Sequence, residues 1–357
     1  MNNLDLKQFD ILSKTYHHTE HIEKILNEER PFPLHLEIDL TNACNHRCEF
    51  CVWSELLSKD KSTLPFDLVI KVLDNIKDLG TKAITWTGGG EPLLHKRFAD
   101  ILEHTSKLGI QSGLLTNGSL FGEEKDEQLL SQLEFIRFSI AGTDRESYSE
   151  VQGVDDFDKV IYNLKRICSK DRKTNIGVGI LINRKNFYNL ETFIHLLNEI
   201  NCDFIQIRKD YFSDINESTW FDTEVIPMAI ESNDKYNINV LGESYSELQL
   251  QLNYPQKCYA HFFQANINAT GDFYFCKNTR DNPKFALGNI YTDSLEDIWN
   301  KSLSNKELEK YITPMNCMTF CRNMGNNIAV ENVKQNKSNL PNKKIRNSYF
   351  HQFRWYN

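Results

Sequence analysis

Three cysteines near the start of the chain have a spacing that indicates metal chemistry. Cys44, Cys48 and Cys51 form a CxxxCxxC pattern within the run CNHRCEFC. A four-iron cluster takes four ligands, so three thiolates leave one iron open to another molecule. Structural zinc more often uses four protein ligands in paired CxxC knuckles, and His46 is too close to Cys48 to share a metal comfortably. The pattern therefore favours an open-site iron–sulfur cluster over structural zinc.

Four further cysteines form a second candidate metal site. Cys258 and Cys276 flank Gly271, and Cys317 and Cys321 form a later CxxxC pair. A β-hairpin that turns at Gly271 can hold its two flanking cysteines near each other, and the later pair can complete the site. Four thiolates could bind zinc or an iron–sulfur cluster equally well.

The two remaining cysteines, Cys168 and Cys202, fall in apolar segments and are expected to be small buried hydrophobes. The apolar runs are too short to cross a bilayer, and the first residues lack the basic and apolar regions of a secretion signal. We therefore expect a cytoplasmic protein, in which an odd number of cysteines serves metal binding rather than disulfides.

The composition allows a large core and does not favour nucleic-acid binding. The chain has 357 residues, of which 40% are hydrophobic and 25% charged, enough for one large core and a smaller one. A formal net charge of -8 argues against a chain-wide affinity for nucleic acid. The tail 326–357 is basic and aromatic instead, and we expect its rings to pack back on the body.

Short apolar runs alternate with amphipathic stretches from residue 34 onward, a pattern typical of strands and helices in turn. Strands are predicted at 34–40, 83–87, 110–116, 135–140, 175–182 and 203–207. Helices are predicted at 68–79, 98–108, 128–133, 157–168 and 190–200. This alternation predicts an α/β fold, in which a parallel sheet with right-handed crossovers curls into a partial (β/α)6 TIM-like barrel. The active site of such a barrel lies at the C-terminal ends of the strands.

Beyond residue 240 the pattern changes to a β-hairpin at 263–275 and a short helix at 293–300. A small α+β domain is therefore predicted there. The predicted organisation is an N-terminal helical segment 1–33, a partial barrel 34–240, the small domain 241–325 and the tail 326–357.

A glycine run follows the second predicted strand, with the sequence TGGGEP at 87–92. A backbone without side chains at Gly89 and Gly90 lets a bound amino group approach closely. Glu91 or nearby carbonyls can accept the hydrogen bonds of that group.

These motifs together resemble the radical S-adenosylmethionine (SAM) superfamily over about residues 34–215. The shared features are the CxxxCxxC spacing, the aromatic Phe50 before the last cysteine and a GGE motif at 89–91. The resemblance implies that the open iron binds SAM and that an electron from the reduced cluster cleaves SAM to a 5'-deoxyadenosyl radical. It also implies SAM contacts at Phe50, Gly89, Gly90, Glu91, Thr116, Asn117, Ser139, Gly179 and Ile207. Ala141 is a departure, because many relatives have Asp at this position.

The second cysteine set resembles the Twitch domain, a shortened SPASM domain that is appended to many radical SAM enzymes. The shared features are a C-x12-G-x4-C element and a later cysteine pair. The resemblance implies one auxiliary [4Fe–4S] cluster on Cys258, Cys276, Cys317 and Cys321, in addition to the SAM-binding cluster on Cys44, Cys48 and Cys51. Four protein ligands favour electron transfer over substrate chelation as its role.

The resemblance suggests a two-cluster radical SAM oxidoreductase. We expect hydrogen abstraction from a small polar substrate, sugar-like or a nucleotide sugar, with the auxiliary cluster as electron acceptor and flavodoxin or ferredoxin as electron donor. Arg208, Asp210 and His261 are the candidate catalytic residues. The alternatives are a peptide-modifying epimerase or cross-linking enzyme and, from another class, a noncatalytic zinc-binding interaction protein.

Overall fold

One sheet runs through the residues that the computed structural model describes, which are 11–209, 219–236, 240–242, 257–303 and 323–335. Its ten strands in this part of the chain are β1 His35–Asp39, β2 Ala83–Thr87, β3 Gln111–Thr116, β4 Phe135–Ser139, β5 Asn175–Ile182, β6 Phe204–Lys209, β7 Val240–Gly242, β8 Gln264–Ile267, β9 Asp272–Tyr274 and β10 Ala286–Asn289. Across the sheet they follow the order β10-β9-β8-β1-β2-β3-β4-β5-β6-β7.

Helices connect and flank these strands. Within the described ranges they are α1 Ile11–Thr15, α2 Thr19–Leu26, α3 Ser54–Lys59, α4 Phe66–Asp78, α5 Phe98–Lys107, α6 Glu123–Gln132, α7 Arg145–Gln152, α8 Phe157–Cys168, α9 Leu190–Glu199, α10 Ile226–Tyr236, α11 Leu295–Leu303 and α12 Met324–Lys334. A π-helical turn, Phe221–Val225, leads into α10. In this part of the chain, no helix combines the length and the apolar character that crossing a membrane requires.

The predicted alternation of strands and helices is confirmed. Strands β1 to β6 pair side by side in chain order, and every pair is parallel. Helices α4, α5, α6, α8 and α9 lie between them along the chain, near the predicted positions. Several described elements were not predicted. They include the short strand β7, which pairs in parallel with β6, the strand β10, and the helices α3, α7, α10 and α12.

The hairpin of the predicted small domain belongs to the same sheet as the barrel strands. Strand β8 pairs in parallel with β1, so that Leu36 lies beside Ala265. Strand β9 then runs antiparallel to β8, and β10 antiparallel to β9. The chain therefore changes from parallel to antiparallel pairing at the turn around Gly271, without leaving the sheet.

One face of the barrel sheet carries a small apolar cluster of its own, which we call the apolar floor. Phe135 on β4 lies over Gly113 of β3, and Phe204 on β6 lies over Gly177 of β5. A Cβ atom at Gly113 would lie 1.7 Å from the Phe135 ring, so the glycine leaves the space that the ring occupies. The members of the apolar floor are Ala83, Leu115, Phe135 and Phe204, and they are separate from the main core.

Replacing Gly113 with Ala should destabilise the fold, because the buried Phe135 ring has to move. Overpacking of this kind costs about 1–3 kcal/mol of the free energy of unfolding, which urea unfolding measures. Gly122→Ala is the matched control, since a Cβ there meets nothing within 4 Å and its φ is −157°. Equal stability of Gly113→Ala and the wild type would contradict the packing of the apolar floor.

Candidate functional site

A cavity of about 470 Å³ gathers residues from the C-terminal ends of the strands and the loops after them. Its wall includes the cysteine loop after β1, the glycine run after β2, Ser139 on β4, Arg208 on β6 and Lys277 after β9. A flat sheet would place β1 and β6 about 24 Å apart, at roughly 4.8 Å per strand. The sheet therefore curls around this cavity, as the barrel prediction requires. Its volume is typical of small-molecule sites, which range from about 300 to 1,000 Å³.

Cys44, Cys48 and Cys51 line the cavity together, and none of the three is in a disulfide. Burial raises the pKa of Cys48 to about 12, and the thiols of Cys44 and Cys51 add to this shift. The three thiols therefore lie near one another on the cavity wall. In the described residues, no three His, Cys, Asp or Glu side chains gather as one metal ion would require. A four-iron cluster binds each cysteine through a different iron, and the arrangement fits that ligand set.

Helix α7 holds the cysteine loop from the side of β4. The Arg47 N–H donates to the Gln152 carbonyl at 3.1 Å, and the His46 ring is hydrogen-bonded to the Tyr148 hydroxyl at 2.9 Å. Both partners of the loop are on α7. The sequence signal for this helix is Asp144, whose side chain caps its first turn.

The glycine run packs directly against the cysteine loop. The Gly90 N–H donates to the Thr41 carbonyl at 3.0 Å, and the Glu91 N–H donates to the Ala43 carbonyl at 2.8 Å. A Cβ atom at Gly90 would lie 1.9 Å from the Ala43 carbonyl oxygen. A Cβ atom at Gly89 would lie 2.5 Å from the side chain of Asn42. The close approach of the two loops therefore requires glycine at position 90, because a side chain there would meet backbone atoms. The sequence interpretation did not include this reason.

The Glu91 carboxylate ties the glycine run to the end of β3. It is buried and accepts hydrogen bonds from the Thr116 hydroxyl at 2.8 Å, the Asn117 N–H at 2.7 Å and the Leu93 N–H at 3.1 Å. Burial raises the pKa of Glu91 to about 7, and the hydrogen bonds oppose this shift. Glu91, Thr116 and Asn117 all line the cavity, and their contacts with SAM stay predictions.

The other predicted SAM contacts lie only partly on the cavity wall. Phe50 and Ser139 line the cavity, whereas Gly179 and Ile207 are not among its lining residues. Ile207 is fully buried in the main core. The predicted backbone contacts of β5 and β6 with the adenine of SAM therefore have no support from the cavity wall.

Arg137 is a cavity residue that sequence reasoning missed. It donates to the Gln206 side chain on β6 at 2.5 Å, and so reaches from β4 across β5. A Cβ atom at Gly179 of β5 would lie 2.9 Å from the Arg137 side chain. A sequence signal for Arg137 was available. Phe135, Arg137 and Ser139 alternate along β4, which places all three on one face of the strand.

The three candidate catalytic residues have different positions. Arg208 lines the cavity, and Asp210 lies outside the described residues. His261 precedes β8, which runs parallel to β1, so it lies towards the opposite end of the sheet from the cavity. Its ring packs on Phe262 and Phe275 with centroid distances of 4.1 and 4.8 Å, and burial lowers the pKa of His261 to about 3. Contrary to the prediction, the structure does not place His261 at the cavity.

Cys258 and Cys276 flank the open end of the β8–β9 hairpin, as predicted, and both are half-buried. Cys317 and Cys321 lie outside the described residues, so the set of four cysteines stays a prediction.

Comparison with known families matches both parts of the chain. Residues 38–197 match the radical SAM superfamily. The chain carries a radical SAM domain. Residues 258–323 match the SPASM family of iron–sulfur cluster-binding domains, which confirms the predicted auxiliary-cluster domain.

Several relatives of this radical SAM protein share moderate identity with it. GTP 3',8-cyclase of Clostridium perfringens strain SM101 is 25% identical over 297 residues, which cover 78% of this chain and 88% of the relative. A tungsten-containing aldehyde ferredoxin oxidoreductase cofactor-modifying protein of Pyrococcus furiosus is 24% identical over 180 residues, or 47% of this chain and 49% of the relative. Streptococcus suis SuiB bound to SAM has a TM-score of 0.65 at 17% identity, covering 88% of this chain and 78% of SuiB. This last likeness shows the shared fold.

The cofactors of this radical SAM protein are SAM and [4Fe–4S] clusters, one catalytic and one auxiliary. The cavity fits the catalytic set, because three thiols outside disulfides face it beside a glycine run. Cys44, Cys48 and Cys51 would hold the catalytic cluster.

Glu91→Gln should change how stability depends on pH. The folded wild type keeps the Glu91 proton up to about pH 7, whereas the unfolded chain releases it near pH 4.5. Between these values the unfolded state binds fewer protons, so the wild type loses stability as the pH rises, on the order of 3 kcal/mol in all. Unfolding of both proteins between pH 4.5 and 7.5 measures this, because their other titrating groups are the same. Parallel curves would contradict the burial of a titrating Glu91.

Proposed function

We propose that this radical SAM protein abstracts a hydrogen atom from a small polar metabolite, sugar-like or a nucleotide sugar, and oxidises it. When bound, the catalytic cluster and SAM supply a 5'-deoxyadenosyl radical as the hydrogen acceptor. The residues of the chain bind and orient the reactants and exclude water.

The shared cavity is the observation that carries this proposal. The cysteine loop, the glycine run and the ends of β3, β4 and β6 line one space of about 470 Å³. Leu115 belongs both to this wall and to the apolar floor, so packed phenylalanine rings lie directly beneath the cavity. A dry wall on that side protects reactive groups from water.

Charge and size support a small polar substrate. Arg137 and Arg208 place cationic side chains on the wall, where Lys277 is already paired with Glu37, and the volume suits a small molecule. The Clostridium perfringens relative, of which this chain covers 88%, is named for its action on a nucleotide. These features support an anionic or nucleotide-containing substrate over an uncharged one.

Oxidation of an alcohol fits the groups near the cavity. In such an oxidation the substrate loses a carbon-bound hydrogen atom, a hydroxyl proton, which a base of the chain would take, and one further electron, for which the auxiliary cluster, when bound, would supply the acceptor. A guanidinium stays protonated, so Arg208 would stabilise the developing oxygen charge rather than take the proton. Asp210, which directly follows β6, is the remaining proposed base.

Epimerisation, the peptide-modifying alternative, would need a thiol to return a hydrogen atom. Cys168 and Cys202 are both buried and hydrogen-bonded to each other. Neither lines the cavity, where the thiols from the described part of the chain are Cys44, Cys48 and Cys51. This placement supports oxidation.

Replacing Cys44, Cys48 and Cys51 together with Ala should abolish formation of 5'-deoxyadenosine from SAM under strong reductant. The reason is that the open-site cluster needs all three thiolates. Liquid chromatography of the reconstituted enzyme without substrate measures the product. The double variant Cys168→Ala/Cys202→Ala is the control and should keep cleavage. Normal cleavage by the triple variant would refute the proposed use of the cavity.

Incubation with sugar phosphates and nucleotide sugars should identify a substrate that raises 5'-deoxyadenosine formation above the substrate-free rate. Mass spectrometry should then find a product lighter than the substrate by two hydrogen atoms. Cys168→Ala and Cys202→Ala should keep this turnover. A product of unchanged mass that carries a solvent deuterium, and that either variant loses, would favour epimerisation instead.

A further inference from the structure

Two ion pairs fasten the segment after Cys276 to the inner face of β1. Lys277 Nζ lies 2.8 Å from Glu37 Oε2, and the Arg280 guanidinium binds the Asp39 carboxylate. Glu37 and Asp39 are alternate residues of one strand, so they point to the same face. The segment 277–280 therefore lies along the strand that leads into the cysteine loop.

Arg280 also contacts the far side of that loop. Its guanidinium carbon lies 3.9 Å from the centre of the Trp53 ring, two residues after Cys51. A guanidinium over an indole face makes a favourable cation–π contact. Arg280 Nε donates to Asp281 at 2.9 Å, and Asp281 accepts from Asn268 at the end of β8 at 2.8 Å. The Arg280 side chain thus connects the segment after Cys276 to both sides of the cysteine loop, namely to strand β1 before it and to Trp53 after it.

These contacts are made where charges are costly to bury. The side chains of Asp39 and Arg280 are both 0% exposed. Burial raises the pKa of Asp39 to about 6, although Arg280 opposes the shift. A buried ion pair seldom adds stability over apolar side chains of similar volume, but it can specify one arrangement. The planar guanidinium fixes both direction and stacking distance, which a lysine ammonium would not do.

We infer that Arg280 is a positioning residue, which holds the cysteine loop of the radical SAM domain and the Cys276 segment of the SPASM-type domain in one fixed arrangement. Lys277, on the same segment, thereby becomes part of the cavity wall. This role concerns the two cysteine-bearing segments and does not depend on the substrate or on the proposed oxidation.

Alkylation of thiols in the reduced, metal-free full-length chain tests this role without SAM or substrate. Arg280→Gln removes the charge and the guanidinium stacking, so both segments should open more easily. We expect Cys51 and Cys276 to react about tenfold faster than in the wild type, with the rate at each cysteine read by peptide mass spectrometry. Cys168, which is buried on α8, should keep its rate. Arg280→Lys should give intermediate rates, because it restores the charge without the planar stack.

Arg166→Gln is the matched control, since it breaks another Arg–Asp pair, with Asp126, between α8 and α6. It should leave the rates of Cys51 and Cys276 unchanged. If Arg280 served stability alone, both variants would raise the rates at every cysteine in proportion to the stability lost. That result would overturn the inference.

Trp53→Leu provides a second test should Arg280→Gln fail to fold. It removes the stacking surface and leaves the pair of Arg280 with Asp39 in place. Cys51 should then react faster, while Cys276 keeps its wild-type rate because Asp39 still holds its segment. Unchanged reactivity of Cys51 would overturn the inference.

Discussion

The parallel pairing of β8 with β1 is the constraint on which the rest of the structure depends. It makes the hairpin of the SPASM-type domain a continuation of the barrel sheet. The chain after β9 can then turn back over the inner face of β1, where Glu37 and Asp39 meet Lys277 and Arg280. If β8 ran in the opposite direction, the chain would leave the hairpin at the other end of β1. The backbone hydrogen bonds between β1 and β8 therefore set the position of the second domain. The ion pairs then fix how the segment after β9 lies on β1.

The glycine run holds neighbouring loops of the protein together, in addition to any contact with a ligand. The backbone N–H groups of Gly90 and Glu91 donate hydrogen bonds to backbone carbonyls just before the cysteine loop. The Glu91 carboxylate is occupied by donors from the end of β3. A change in this run would therefore shift the cysteine loop and the end of β3 together. Loss of SAM binding in such a variant would not by itself identify a ligand contact.

Local patterns in the sequence predicted many strands and helices well, but they did not predict which distant side chains contact one another. The predicted bounds of β2 and β5 match the structure residue for residue, because each is an apolar run with clear ends. Helix α7 was missed because its polar sequence lacks a long apolar stripe. Arg137 and Arg280 were missed because their partners lie 69 and 241 residues away. His261 was expected near the chemistry because the sequence does not show in which direction β8 joins the sheet.

The apolar floor also determines the side from which molecules can reach the cavity. Phe135 and Phe204 fill the inside of the sheet beneath the cavity, and each ring occupies space that a glycine side chain leaves empty. In the described part of the chain, the strand ends therefore form the mouth through which molecules come and go. A barrel packed in this way closes the cavity on the side away from the strand ends.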